Sequence, residues 1–478
     1  MLDRFPAQVY ADTVLRQNFE DAKKYFLDSL LEIHHAHTRM LACQGILTPG
    51  EERELIAALD GLDRAHIETA GYDGGCEDLF FFIETLLEQA CGRDLAGKMH
   101  TARSRNDIAL TLYRMTARVE MLNVSESISQ LRRVLLKRAG DHLETIMPAH
   151  THTQPAQPTT LGHYLLAVCE FLARDADRLQ GAFVRVNLSP LGAAAITTSG
   201  FPIDRSRTAR LLGFEGLAEN SYGAIAAIDY ITESASVIAV AMVNLGKLVQ
   251  DLLLWSTREF GFLRLSDAFV QASSIMPQKR NPVALEHTRV LASRALGQAQ
   301  AVLTCAHNTP FGDVNDSEDD LQPLVFAMFN DAVRAFRLLA GAIGTAEVDR
   351  AHLARRAREN FLTVTELADT LVRREGMSFR EAHSVVAEAV RATRENDEPA
   401  AVARALKAIR PSLGLTEAEV IEALDPEHFV RVRRVAGGPA PEQTREAHTR
   451  ALEEQARIER WVAEKRALLD SARAALRR

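Results

Sequence analysis

Proline is absent from Ala7 to Thr48, from Gly50 to Met147, from Ile203 to Met276 and from Leu324 to Glu398. Proline removes a backbone donor and clashes with the preceding helical turn, so stretches without it are free to form unusually long helices. The apolar spacing agrees. From Ser104 onward, apolar side chains fall at Ile108, Leu112, Met115, Val119 and Leu122, with a second stripe at Val124, Ile128, Leu131 and Leu135. These are helical intervals, and they predict one helix running to about Met147. Ala224 to Phe260 is apolar on almost every side and predicts an innermost helix, and Val283 to His307 and Leu324 to Ile343 continue the series.

Four long helices in succession pack at shallow angles, so the expected fold is all-α with a long central helical bundle. Three domains are expected. Residues 1–100 read as an N-terminal cap of shorter helices, broken at Thr48-Pro49-Gly50 and at Gly71 to Gly75. Residues 101–345 form the bundle. Residues 346–478 read as a second cap, in which Ser378 is an N-cap ahead of Glu381. The tail from about Glu442 alternates charge with alanine and reads as a solvated helix. A bundle this apolar predicts completion against other subunits in a symmetric homo-oligomer.

Composition narrows the partners. A net charge of -8 and no cluster of basic and aromatic residues disfavour nucleic acid. The most membrane-like run, Ser236 to Trp255, is interrupted by Asn244, Lys247, Gln250 and Asp251, which are costly in lipid, so a buried bundle helix is the better reading. Five scattered cysteines without CxxC spacing imply neither a disulfide framework nor a zinc site. That usage fits a reducing cytoplasm, and Met1 to Pro6 carry no export signal.

Three segments concentrate polar groups between apolar helices. His100 to Asp107 places Arg103, Ser104, Arg105 and Asn106 at the mouth of a long helix, which reads as a carboxylate or phosphate receptor or as capping plus surface charge. His150 to Pro158 contains His152, suited to proton transfer near neutral pH, and the alternative is a satisfied structural histidine. Metal ligation finds no second matching cluster. Ala272 to Pro282 groups Ser273, Ser274, Lys279 and Asn281 between two prolines, and so is irregular backbone. A serine there needs a stabilised alkoxide to act as base or nucleophile, which Lys279 supplies, and the alternative is a tight turn. Asn281-Pro282 reads as N-cap and first helical residue of the helix that follows.

Together these segments resemble the aspartase/fumarase superfamily and, within it, the argininosuccinate lyase and delta-crystallin family. The resemblance covers nearly the whole chain. It rests on Gly97 to Asp107, Thr151 to Gln154 with Ala156-Gln157-Pro158, Phe201 to Arg205, Leu265 to Ala268 leading into Ser273 to Pro282, Glu366 to Asp369, and Phe379 to His383. It implies a homotetramer with a 20-helix core and active sites assembled from three subunits. It also implies elimination of fumarate from an N-(1,2-dicarboxyethyl) amine through an aci-carboxylate, without metal or organic cofactor. The resemblance assigns Ser273 as the base and Lys279 and Asn281 as holders of the developing charge. It makes His152 the acid on the nitrogen side, oriented by Glu286. Ser104, Arg105, Asn106, Thr151, Gln154 and Ser274 then bind the carboxylates.

The chain departs from the family pattern on the amine side. Phe80 stands where a histidine is usual, Ile108 where glutamine is usual, and Ala102 and Ala272 where glycine is usual. Asp313, Glu318 and Leu321 fall where the family carries a tyrosine, a glutamine and a lysine that hold the amino-acid half of the substrate. An acidic subsite predicts a different partner, an aminopolycarboxylate or another cationic amine. The alternatives are a genuine argininosuccinate lyase and an inactive crystallin-like relative.

Overall fold

The computed structural model describes residues 5–394 and 396–478, so the expectation for the extreme N-terminus falls partly on Met1 to Arg4, outside the described residues. Five helices, Arg105–Asp141, Leu161–Val186, Asp229–Trp255, Val283–Ala306 and Gln322–Gly344, pack side by side as the central bundle. Among the described residues, twenty α-helices account for most of the chain, and the strands are short two-stranded ribbons. The fold is all-α.

The 105–141 helix starts at Ser104, whose side chain and that of Asp107 form a reciprocal capping box. Ile108, Leu112, Met115 and Leu122 are buried on one stripe and Val124, Ile128, Leu131 and Leu135 on the other, so both faces meet neighbouring helices. Its buried arginines tie the bundle together. Arg118 donates to Asn187 Oδ1 and the Leu212 carbonyl, at 2.9 and 2.6 Å. Arg132 donates to the Cys169 and Ala451 carbonyls and to Gln455, each at 3.0 Å.

That helix stops at Asp141, short of the expected Met147, because Ile146–Thr151 pairs antiparallel with Gln154–Thr160. The expected 224–260 helix is likewise divided: Ser221–Ala226 ends at extended backbone on Ala227, and Asp229–Trp255 begins anew. The latter is long and apolar enough to cross a membrane, yet it packs against its bundle neighbours and buries Ile238, Ala241, Leu245 and Leu252.

Two further expectations are corrected. Asn281 is in a strand paired with Gln271, and Pro282 is itself the N-cap of the 283–306 helix. The C-terminal tail is not a solvated helix: Pro441–Leu476 packs along the 105–141 and 161–186 helices and buries Gln455, Ile458, Val462 and Leu469. By contrast, Leu367, Leu371, Val385, Val402 and Leu406 belong to a separate buried cluster spanning 367–424, where Ser378 caps its helix through the Glu381 amide.

Candidate active site

The hairpin of residues 146–160 turns at His152 and Thr153, with φ of 51° and 61°. Two left-handed residues in a two-residue loop match the right-handed twist of the strands, but the position favours Asn-Gly and is strained for a β-branched threonine. Strain of this kind collects where placement of a side chain matters. The turn exposes Thr151, His152 and Gln154 at its tip, and Thr153 Oγ1 donates to the His152 carbonyl at 2.6 Å.

Ser273 to Lys279 form a second exposed tip. They loop out between the paired strands Gln271–Ala272 and Arg280–Asn281, with Ile275 82% exposed. The base is fixed by Arg280, which pairs with Asp267 and donates to the Leu265 carbonyl at 2.8 Å. Ser273 Oγ accepts from the amides of Met276 and Ile275 at 3.1 and 3.4 Å. Amides aimed at an oxygen favour its anionic form, which is the polarity a serine base needs. Ser274, Lys279 and Glu286 are exposed and Asn281 is half-buried. Among the described residues, no hydrogen bond within one chain joins His152 to Ser273, Lys279 or Glu286.

The third segment divides between surface and core. Ser104 Oγ donates to Asn106 Oδ1 at 3.2 Å, and Asn106 Nδ2 donates to the Ala195 carbonyl at 3.2 Å. Arg105 is engaged with Asp78 at 2.9 Å and Glu77 at 3.2 Å. Arg103 is buried, bonded to His34 Nδ1 at 2.8 Å and stacked over Phe80, so it is not presented to solvent as a receptor. Burial, then the Arg103 charge, holds His34 well below its ordinary pKa, and this neutral imidazole accepts from the arginine.

Asp107 has a role that its place in the motif does not reveal. Its Oδ2 accepts from the amides of Gly192 and Ala194 at 2.7 and 3.0 Å, and Oδ1 accepts from Ser104 at 2.9 Å. Burial outweighs these three amides and pushes its carboxyl up to about 6. Arg205 secures the same loop through the carbonyls of Leu191, Ala218 and Glu219, at 3.0, 2.9 and 3.2 Å. Gly192, at φ +87°, lies so close that a Cβ would stand 2.6 Å from Arg205 Cγ. The carboxylate thereby locks the 190–195 loop beside Ser104 and Asn106.

Of the residues expected on the amine side, Phe80, Ile108, Asp313 and Glu318 line one cavity of about 250 Å³, shared with Arg105, Asn106 and Asp319. Leu321 is buried and lies outside that lining. Tyr113, itself buried, donates to Asp319 at 2.6 Å. Burial first, and Asp313 second, push the carboxyl of Glu318 well above the ordinary glutamate range.

A lyase family model matches residues 51–297, and a second, described as argininosuccinate lyase C-terminal, matches 361–431. Argininosuccinate lyase 2 of Agrobacterium fabrum is 44% identical over 453 residues, covering 93% of this chain and 90% of that protein. Argininosuccinate lyase of Methanosarcina mazei is 39% identical over 427 residues, covering 88% of this chain and 86% of its own. An EDDS lyase variant with bound fumarate superposes with a TM-score of 0.87 at 33% identity, covering 97% of this chain and 94% of that one. Class II fumarase of Schistosoma mansoni, at 15% identity and TM-score 0.70, shares the fold alone.

Proposed function

This chain belongs to the argininosuccinate lyase family of the aspartase/fumarase superfamily, and on that premise we propose an amine partner other than arginine for its fumarate-eliminating carbon–nitrogen lyase chemistry. The observation that carries this reading is the acidic cavity: Asp313 and Glu318 face it, and Arg105 is already paired. A cationic amine suits that lining, whereas an aminopolycarboxylate has to bring its outer carboxylates against the same acidic groups.

In this reading Ser273 Oγ removes the proton from the carbon beside one carboxylate. Lys279 and Asn281 stabilise the resulting aci-carboxylate, an interaction stronger in the transition state than in the ground state. His152, oriented by Glu286, then protonates the departing nitrogen, anti to the lost proton. Ser104, Asn106, Thr151, Gln154 and Ser274 hold the carboxylates of the fumarate half. Arg105 reaches them only through the field of its ion pairs.

That no hydrogen bond joins the two exposed tips within one chain, among the described residues, favours assembly from several subunits. Val240, Val243 and Leu254 on one bundle helix, with Val290 and Leu303 on the next, leave apolar side chains exposed in one chain, which a homotetramer would cover. We assign 1–100, 101–345 and 346–478 as cap, bundle and cap, with the 441–476 helix returning to the bundle. All five cysteines are free, which suits the cytoplasm. The test is incubation with argininosuccinate and, in reverse, with fumarate and a panel of amines, following fumarate absorbance. Addition of an amine other than arginine supports the reading; rapid turnover of argininosuccinate in preference to every other adduct refutes it.

A further inference from the structure

The cavity beside the 105–141 helix has a mixed lining. Phe26, Leu30, Ile108 and Leu112 supply apolar surface, and Glu77, Asp78, Asp313, Glu318, Asp319 and Asp320 supply carboxyl groups. Six carboxyl groups are set against one cation, Arg105, and that guanidinium already lies 2.9 Å from Asp78 and 3.2 Å from Glu77. A ligand carboxylate entering here meets no unengaged cation among the lining residues. Glu318 Oε1 is buried and has no hydrogen-bond partner, whereas Asp319 is satisfied by Tyr113. A buried acceptor left unpaired is costly, and a donor from a ligand removes the cost. At about 250 Å³ the space lies below the range of drug-sized sites and suits a short aliphatic chain.

Building on the lyase reading above, we infer that the amine half of the substrate ends in a cation and bears no carboxylate. It is an alkyl diamine or an aminoalkylguanidine, substituted by one dicarboxyethyl group on the near nitrogen. Its methylenes lie along Ile108 and Leu112 while its far cation donates to Glu318 between Asp313 and Asp319. Both an α-amino acid and an amine carrying a second dicarboxyethyl group place an anion against the acidic lining and are rejected. In the reverse reaction the near N–H adds across the fumarate double bond. A C–N bond forms, the neighbouring carbon gains one proton, and nothing is oxidised.

Arrival of the far cation also changes the protonation of Glu318. The groups facing that carboxyl are Asp313 and Asp319 on its own loop, Arg105 and Tyr113 on the long helix, and Tyr230 on the 229–255 helix. Only Arg105 among them is a cation, and its two ion pairs hold it at Glu77 and Asp78. A bound ammonium or guanidinium therefore opposes that upward shift and favours loss of a proton from the Glu318–Asp313 pair.

The test uses the full-length protein and fumarate with 1,4-diaminobutane or agmatine, each compared with its carboxylated counterpart, ornithine or arginine. The carboxylate-free amines are expected to give kcat/KM at least about 100-fold higher. Glu318→Gln is expected to raise KM for the diamine about tenfold, with kcat changed less than about threefold. Calorimetric titration with the diamine, in buffers of differing ionisation enthalpy, is expected to show more proton release by the parent than by Glu318→Gln. If Glu318→Gln does not fold, Asp313→Asn on the exposed loop is expected to raise KM in the same direction. Equal or better use of ornithine or arginine, efficient cleavage of ethylenediamine disuccinate, or an unchanged proton count overturns this inference while leaving the lyase chemistry intact. Silence with every amine overturns the lyase reading as well.

Discussion

Replacing Asp107 by alanine tests how the 190–195 loop is held. The side chain accepts from three amides, and two of these, Gly192 and Ala194, belong to a loop 85 and 87 residues away in sequence. Orphaning such amides costs about 1–3 kcal/mol each, or roughly 5 kcal/mol for three. Alanine also removes a buried charge. The carboxyl stands at about 6 against 3.8, and about 2 units at 1.36 kcal/mol each return roughly 3 kcal/mol at pH 7. The net expected loss is about 2 kcal/mol at pH 7. Because the folded-state pKa is raised, the stabilising share of this group is complete below about 3.8 and disappears as pH rises through about 6. The gap between parent and variant therefore widens by about 1 kcal/mol on going from pH 7 to pH 5. Urea unfolding followed by far-ultraviolet circular dichroism at both pH values measures it. A loss below about 0.5 kcal/mol, or a gap that narrows toward pH 5, refutes the reasoning.

Ala102 sits at φ 61°, a conformation that favours glycine, so Ala102→Gly is expected to raise stability by about 0.5 kcal/mol in the same urea assay; a loss of stability contradicts that assignment of strain. Arg132→Met strands the Cys169 and Ala451 carbonyls and Gln455 and should cost about 3 kcal/mol, with no loss counting against the buried network. Ser273→Ala should abolish fumarate formation without changing helix content, and retained turnover would remove Ser273 as the base. Mixing inactive Ser273→Ala and His152→Asn proteins under subunit exchange should restore part of the activity, because some assembled sites then hold both native residues. Persistent inactivity after proven exchange contradicts the composite site.

The long helices were legible because stripes such as Ile108 to Leu122 repeat without proline over many turns. The 146–160 hairpin was not, since its strands contain three prolines and its turn is His152-Thr153 instead of an Asn-Gly signal. The C-terminal helix misled for another reason: its buried positions, among them Gln455, Ile458 and Val462, are sparse among charged residues that snorkel to the surface. In the site, the polar segments named the chemistry, and the departures at Phe80, Ile108, Asp313 and Glu318 converge on one cavity. The grip of Asp107 on Gly192 and Ala194 and the burial of Arg103 against His34 depend on contacts between segments far apart in sequence, which local pattern does not encode.

The most direct measurement of the proposed chemistry is addition of 1,4-diaminobutane to fumarate in deuterium oxide, with the product examined by proton nuclear magnetic resonance. Elimination and addition through a Ser273 base on one face and nitrogen delivery on the other predict a single deuterium at the β carbon, in the one diastereomer that corresponds to anti addition. No adduct contradicts the diamine assignment, and deuterium in the other diastereomer, or distributed over both, contradicts the two-sided chemistry.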